Sequence, residues 1–245
     1  MWDKAAARRY ERWYETVEGS FALQQEDRLL RRMVTDWPRR GQKFLEIGCG
    51  TGLFLHVFWE AGFEVHGLDS SPQMLSIARN RMEKNVELRV GHAEHLPFED
   101  NEFDFAALLT VLEFTEDPRT VLAEACRVAR KGLIITFLNR ASLYYLTHGR
   151  SWPWARDGTL KRARWYSCRE MKAMVQEVVG GKPMRVRSVL PGPMSTWRSS
   201  PPWRWFNGLI LPTGMGAYCA LRVDLYGGKP LTPLYAYKTE TRPSA

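Results

Sequence analysis

Residues 43–47, KFLEI, form a short apolar run that ends directly in Gly48-Cys49-Gly50-Thr51-Gly52. Helical spacing then begins and continues to Gly62, a residue suited to stopping a helix. A strand that feeds a glycine turn and then a helix is the first half of a βαβ unit. The alternation continues along the chain. FEVHGLD (63–69) reads as a second strand, and the helix of 71–85 starts at Ser71-Pro72, a cap followed by proline in the first turn. VELRVG (86–91) and FDFAALLTV (103–111) read as the third and fourth strands. A helix from about Pro118 to Arg130 precedes a fifth strand, KGLIITFL (131–138). The pattern predicts an α/β protein with a doubly wound, mostly parallel sheet, whose ligand sits outside the carboxyl ends of the strands.

Less regular segments flank this core. Residues 1–42 carry aromatic and apolar positions at helical spacing, with Gly19 and Ser20 expected to divide them into two pieces. Residues 139–166 read as a polar and aromatic connection. Ser167 and Glu170 form a capping-box pair that opens a helix to about Val179. MRVRSVL (184–190) and GAYCALRVDLY (216–226) read as strands, separated by a proline-broken excursion over 191–215. One domain over 1–245 is expected: a helical cap (1–42), a core (43–138) and substrate-side elements with an edge hairpin (139–245).

The glycine turn excludes two familiar ligands. Gly48, Gly50 and Gly52 give G-x-G-x-G, and Leu53 stands where a dinucleotide fingerprint needs its third glycine. No Lys-Ser/Thr pair follows at the spacing a triphosphate loop requires. Glu46, beside the turn, repels phosphate and suits a ligand with a cationic end, such as an amino-acid ammonium. Asp69 ends the second strand, where a carboxylate can accept hydrogen bonds from both ribose hydroxyls. An adenosine joined to an amino acid satisfies both acids.

With these residues in place, the chain resembles the class I S-adenosylmethionine-dependent methyltransferases. It is most similar to the small-molecule branch that includes quinone-biosynthesis enzymes. The likeness rests on LEIGCGTGLF, Asp69 and the stretch GHAEHLPFEDNEFDFAALLTVLEFTEDPRTVLAEACRVARKGLIITF. It implies a Rossmann-like sheet of seven strands, the last antiparallel, with S-adenosylmethionine as cofactor and S-adenosylhomocysteine as product. It also implies roles for particular residues. Glu46, Gly48, Gly50 and Gly52 would hold the methionine part, Asp69 the ribose, and Ser70 and Met74 the border of ribose and adenine. Ala93 and Glu94 would meet the adenine edge, and Thr110 would lie near the sulfonium. His92 stands where many members carry Asp, and Phe114 replaces a common His. The likeness names no catalytic base; Tyr14, Asn139, Tyr144 and His148 are the acceptor-side candidates.

Charge and aromatic content bear on the acceptor. Residues 1–139 hold 18 Lys+Arg against 22 Asp+Glu, and residues 140–245 hold 17 against 5. Within 150–205 lie Trp152, Trp154, Trp165, Trp197, Trp203 and Trp205, with 12 Lys+Arg against 3 Asp+Glu. Such a segment can pack as a lid, line a pocket for an apolar or anionic acceptor, rest on an anionic membrane, or stack on nucleic-acid bases. Methylases of exocyclic base nitrogens in this fold carry an Asn/Asp-Pro-Pro-aromatic element after the fourth strand, and LLTVLEF has none. A small-molecule or lipid-like acceptor is therefore expected first and RNA second. A non-catalytic cofactor-binding partner protein is the remaining alternative. The four cysteines lie far apart, which argues against a zinc site or a disulfide framework, so no metal is expected. The charged N-terminus lacks the apolar centre of a signal peptide, and a cytoplasmic location is the default.

Overall fold

A computed structural model describes residues 4–83, 85–149 and 163–226. Two helices lead, α1 (Lys4–Glu15) and α2 (Val17–Val34). Then follow β1 (Lys43–Ile47), α3 (Leu55–Glu60), β2 (Glu64–Asp69), α4 (Pro72–Met82), β3 (Glu87–Val90) and β4 (Phe103–Leu109). The remaining elements are α5 (Pro118–Val128), β5 (Ala129–Leu138), α6 (Leu143–His148), α7 (Cys168–Val179), β6 (Met184–Val189), α8 (Trp203–Asn207) and β7 (Tyr218–Asp224). The seven strands form one sheet in the order β3-β2-β1-β4-β5-β7-β6. β1 to β5 pair in parallel, and β7 runs antiparallel to both β5 and β6. This is the doubly wound, mostly parallel sheet expected from the alternation, with its antiparallel edge built from the two late strands.

Both faces of the central strands are buried, so they read as continuous apolar runs. Along β4, Phe105, Ala107 and Leu109 join the core under α2, α3 and α4, while Ala106 and Leu108 join the core under α5 and α7. Glu46 shares the parity of Phe44 on β1, so it projects to the α2 side. The predicted caps form. The Ser71 hydroxyl accepts the Met74 N–H, and Ser167 and Glu170 close a reciprocal capping box.

Four boundaries differ from the sequence expectation. The first two helices part at Thr16, which caps α2 by accepting the Gly19 N–H at 3.0 Å. Gly19 lies inside the first turn of α2, where a Cβ would come within 2.0 Å of the Trp13 carbonyl oxygen; its smallness permits the junction without breaking the helix. α3 starts only at Leu55, because the glycine turn occupies the residues before it. The 139–166 connection contains a helix, α6, capped by Ser142. The 191–215 excursion is also ordered into a 3-10 turn (Met194–Thr196) and α8. Buried Asn207 braces it, accepting the Gly192 N–H and donating to the Thr196 carbonyl and hydroxyl.

Candidate functional site

The carboxyl ends of β1, β2 and β4 meet at the glycine turn. Gly48 and Cys49 both donate to the Leu68 carbonyl, at 2.7 and 3.0 Å, which draws the turn over the end of β2. Gly48 and Gly50 take φ of 72° and 54°, a region where a side chain is strained. Their surroundings differ. A Cβ on Gly48 would lie 2.6 Å from Val111 Cγ2, whereas one on Gly50 would meet nothing within 4 Å. The turn is thus packed from one side and open on the other.

Asp69 is fixed by that turn. One carboxylate oxygen accepts the Gly50 N–H and the other the Ser71 N–H, both at 2.8 Å. Burial raises its pKa, and those two N–H groups work in the opposite direction. Each oxygen keeps a lone pair for a further donor. Glu46 is 2% exposed, and its Oε2 has no hydrogen-bond partner among the described residues. Burial, and then the charge of Asp69, pushes its carboxyl well above the ordinary range. A buried, unpartnered carboxyl is costly unless a cation or a donor meets it. Two acids bracket a turn whose open side carries no Cβ, and this fits an amino acid linked to a nucleoside. The group implied by the resemblance therefore matches the residues present.

The other predicted cofactor residues lie around these. Ser70 is exposed just beyond β2, and Met74 is buried in the first turn of α4. Ala93 and Glu94 form the tip of a tight turn between His92 and His95, directly after β3, whose Val90 pairs with Asp69. Thr110 follows β4 with φ 52°, its N–H shared between the Thr136 carbonyl and hydroxyl.

α1 crosses this end of the sheet. Glu11 accepts from the Thr51 hydroxyl and from Arg81, each at 2.5 Å, and Arg81 also donates to the Thr51 carbonyl. Behind this contact stands a group of phenols and acids. Tyr10 and Tyr14 pack edge to face at 5.2 Å. Burial raises the pKa of Tyr10, Tyr14, Tyr144 and Tyr218, and each of them also feels the charge of Glu26. Tyr10 feels the charge of Glu46 as well. Glu26 is 8% exposed and has no hydrogen-bond or ion-pair partner among the described residues; burial pushes it up to about 8. Glu113 accepts the Leu138 N–H through Oε1, leaves Oε2 unpartnered, and is likewise pushed up to about 8 by burial.

The four acceptor-side candidates separate in space. Tyr14 and Tyr144 belong to this group. His148 stacks on Tyr144 at 4.8 Å, and burial lowers its pKa. Asn139 is fully buried and occupied: it donates to the Gly214 and Gly216 carbonyls and accepts the Ala141 N–H, which makes it a strut for the segment entering β7. Sequence reasoning missed Glu26, Tyr10, Tyr218 and Glu113. Glu26 had a readable signal, since it shares the stripe of Ala22, Leu29, Leu30 and Met33 that α2 buries.

The tryptophan-rich segment also separates. Trp165 and Trp197 are core residues beside Tyr144. Trp205 is 67% exposed, and Trp152 and Trp154 lie outside the described residues. Trp205, Leu209 and Arg204 line a groove of about 550 Å³ with Phe21 and Arg28 of α2. Among the described residues no helix is long and apolar enough to cross a membrane. The structure also brings two of the four cysteines together, with Cys168 and Cys219 Sγ 3.6 Å apart.

Comparison with known proteins places this geometry. Residues 45–137 match the family model described as a methyltransferase domain. A phosphatidylethanolamine N-methyltransferase of Cereibacter sphaeroides is 34% identical over 140 residues, which cover 55% of this chain and 68% of that protein. A malonyl-[acyl-carrier protein] O-methyltransferase of Serratia marcescens is 33% identical over 151 residues, covering 61% and 58%. The match spans only about three-fifths of the length of several such relatives. Among solved structures, a SAM-dependent methyltransferase of Thermotoga maritima, described as a possible histamine N-methyltransferase, aligns with a TM-score of 0.71 and 27% identity. That alignment covers 91% of this chain and 99% of the other.

Proposed function

This chain belongs to the class I S-adenosylmethionine-dependent methyltransferases, and on that footing we propose that it transfers a methyl group from S-adenosylmethionine to a small-molecule or lipid-like acceptor. The observation that carries the proposal is the pairing of Glu46 and Asp69 across a glycine turn open on one side. When bound, S-adenosylmethionine supplies an activated methyl group on a sulfonium. The residues supply orientation and dryness. Glu46 Oε2 takes the ammonium, the free lone pairs of Asp69 take the ribose hydroxyls, and the face of Gly50 admits the ligand against the backbone. Ser70, Met74, Ala93 and Glu94 border the adenosine, and Thr110 the sulfur. α1 closes over the turn through Glu11 and keeps water away. Calorimetric titration with S-adenosylhomocysteine tests the reading: micromolar binding is expected, and its absence would leave the fold without the activity.

A second reading concerns where the acceptor is met. Residues 191–215 contain Arg198 and Arg204 and no acid. Beside them α8 exposes Trp205 and Phe206, with Leu209 next to it. Interfacial aromatics among arginines suit an anionic bilayer surface, and the relatives include an enzyme named for a phospholipid. Co-sedimentation with phosphatidylglycerol vesicles, lost in W205A/L209A and absent with phosphatidylcholine, is the expected result. Salt-sensitive RNA binding without vesicle binding would favour a nucleic-acid acceptor instead.

A further inference from the structure

We propose that Cys168 and Cys219 are a redox-sensitive pair, which a peroxide converts to a reversible disulfide within one chain. The two residues are 51 positions apart in sequence, and their Sγ atoms stand 3.6 Å apart. Cys168 opens α7, and Cys219 lies on β7 opposite Phe137 of β5. Both pack in the core under α5 and α7, where Cys219 is fully buried and Cys168 is half-buried at the margin. Gly214 backs the contact: a Cβ there would fall 2.0 Å from the Cys168 sulfur and 3.9 Å from the Cys219 sulfur. Asn139 in turn holds the Gly214 carbonyl. Three segments thus bring two thiols into contact, and neither thiol serves the methyl transfer proposed above.

The two thiols are unequal, as an attacking and a resolving thiol must be. Contact with the Cys219 thiol, and the charge of Lys172, hold the Cys168 thiol below its ordinary range against the effect of burial. Cys168 also stands in the first turn of α7, where the helix N-terminus favours a thiolate. Contact with Cys168, and burial, raise the Cys219 thiol instead, so its proton stays on. Burial likewise keeps Cys49 and Cys126 as thiols, the latter raised to about 12.

The Cys168 thiolate attacks one oxygen of hydrogen peroxide. An S–O bond forms, the O–O bond breaks, and hydroxide leaves as water with the proton that the thiol has shed. Sulfur is oxidised to a sulfenic acid and the peroxide is reduced. The Cys219 sulfur then displaces hydroxide from the Cys168 sulfur. An S–S bond forms, the S–O bond breaks, and the Cys219 proton completes a second water. Two thiols and one peroxide give one disulfide and two waters, and a reducing dithiol reverses the bond by exchange. The covalent loop so closed contains β6, the 3-10 turn and α8, the whole substrate-side excursion.

The test treats the full chain with hydrogen peroxide, counts thiols after denaturation and maps the unreduced peptides. Two of the four free thiols should be lost to a Cys168–Cys219 cross-link. The chain should still run as a single chain on denaturing, non-reducing electrophoresis, and dithiothreitol should restore both thiols. Cys219→Ser should stop at a sulfenic acid on Cys168, captured by dimedone, and Cys168→Ser should leave Cys219 a thiol. The oxidised chain should melt about 4 °C or more above the reduced one, since the bond closes a long loop. An unchanged or lower Tm would refute a bond made in the native arrangement. All thiols intact after peroxide, a cross-link joining other cysteines or two chains, or Cys168 oxidised to a sulfinic acid while Cys219 stays free would overturn the inference. If a serine variant does not fold, mapping on the unaltered chain decides alone.

Discussion

Replacing Gly50 with alanine separates the fold from the binding of the donor. The added Cβ meets nothing within 4 Å, so its cost to the fold is that of holding alanine at a φ of 54°. That cost is about 1–2 kcal/mol, and a chain of this length loses about 2–4 °C in Tm for each kcal/mol. The same methyl group projects from the open side of the turn, where the donor is proposed to approach the backbone. Overfilling a close-packed contact costs about 1–3 kcal/mol, or about five- to 150-fold in affinity. Gly48→Ala is the comparison: its Cβ would lie 2.6 Å from Val111, so strain and clash both act on the fold. Scanning fluorimetry should show a modest Tm loss for Gly50→Ala and a larger one for Gly48→Ala. Calorimetry should show Gly50→Ala binding S-adenosylhomocysteine about five- to 150-fold more weakly. If Gly50→Ala folds and binds with unchanged affinity, the donor does not use that side of the turn, and the assignment of the site collapses.

Three further outcomes follow from the same geometry. Asp69→Ala should weaken S-adenosylhomocysteine binding by more than about tenfold through loss of charge-assisted bonds, and an unchanged Kd would remove the ribose assignment. Glu26 and Glu113 are raised from an ordinary 4.5 to about 8, so the folded chain binds their protons more tightly than the unfolded chain does. Their contribution to ligand-free stability should therefore be full below about pH 4.5 and be lost as pH rises through 8, by up to about 1.4 kcal/mol per pH unit for each group; urea titrations of Glu26→Gln should show a shallower fall between those pH values, and an unaltered slope would contradict the burial argument. Asn139→Ala orphans the Gly214 and Gly216 carbonyls, at about 1–3 kcal/mol each, and should lower the denaturation midpoint while sparing donor affinity.

The core of the fold was legible because parallel strands buried on both faces advertise themselves as apolar runs, and because Ser71, Ser167 and Glu170 are local signals read without tertiary knowledge. The cofactor side was legible for a related reason: Glu46, the glycines and Asp69 lie within one βαβ unit, so spacing alone brings them together. The group of phenols and acids proposed for the acceptor side is assembled differently. Tyr10 and Tyr14 come from α1, Glu26 from α2, Tyr144 from α6 and Tyr218 from β7, and only the closed sheet makes them neighbours. Asn139 shows the opposite failure: a polar residue at a strand end looks available, yet every hydrogen of its amide is committed to a neighbouring loop. The break at Thr16 was missed because Gly19 stands out in the sequence, whereas the contact with Trp13 that requires it exists only after the two helices meet.

The bolt formed by Glu11, Thr51 and Arg81 turns α1 into a door as well as a wall. The helix that secures the glycine turn also carries Tyr10 and Tyr14, so any movement of α1 moves the bolt and the two tyrosines together. A donor held at that turn, as proposed, would leave on this side only once Glu11 lets go of both partners.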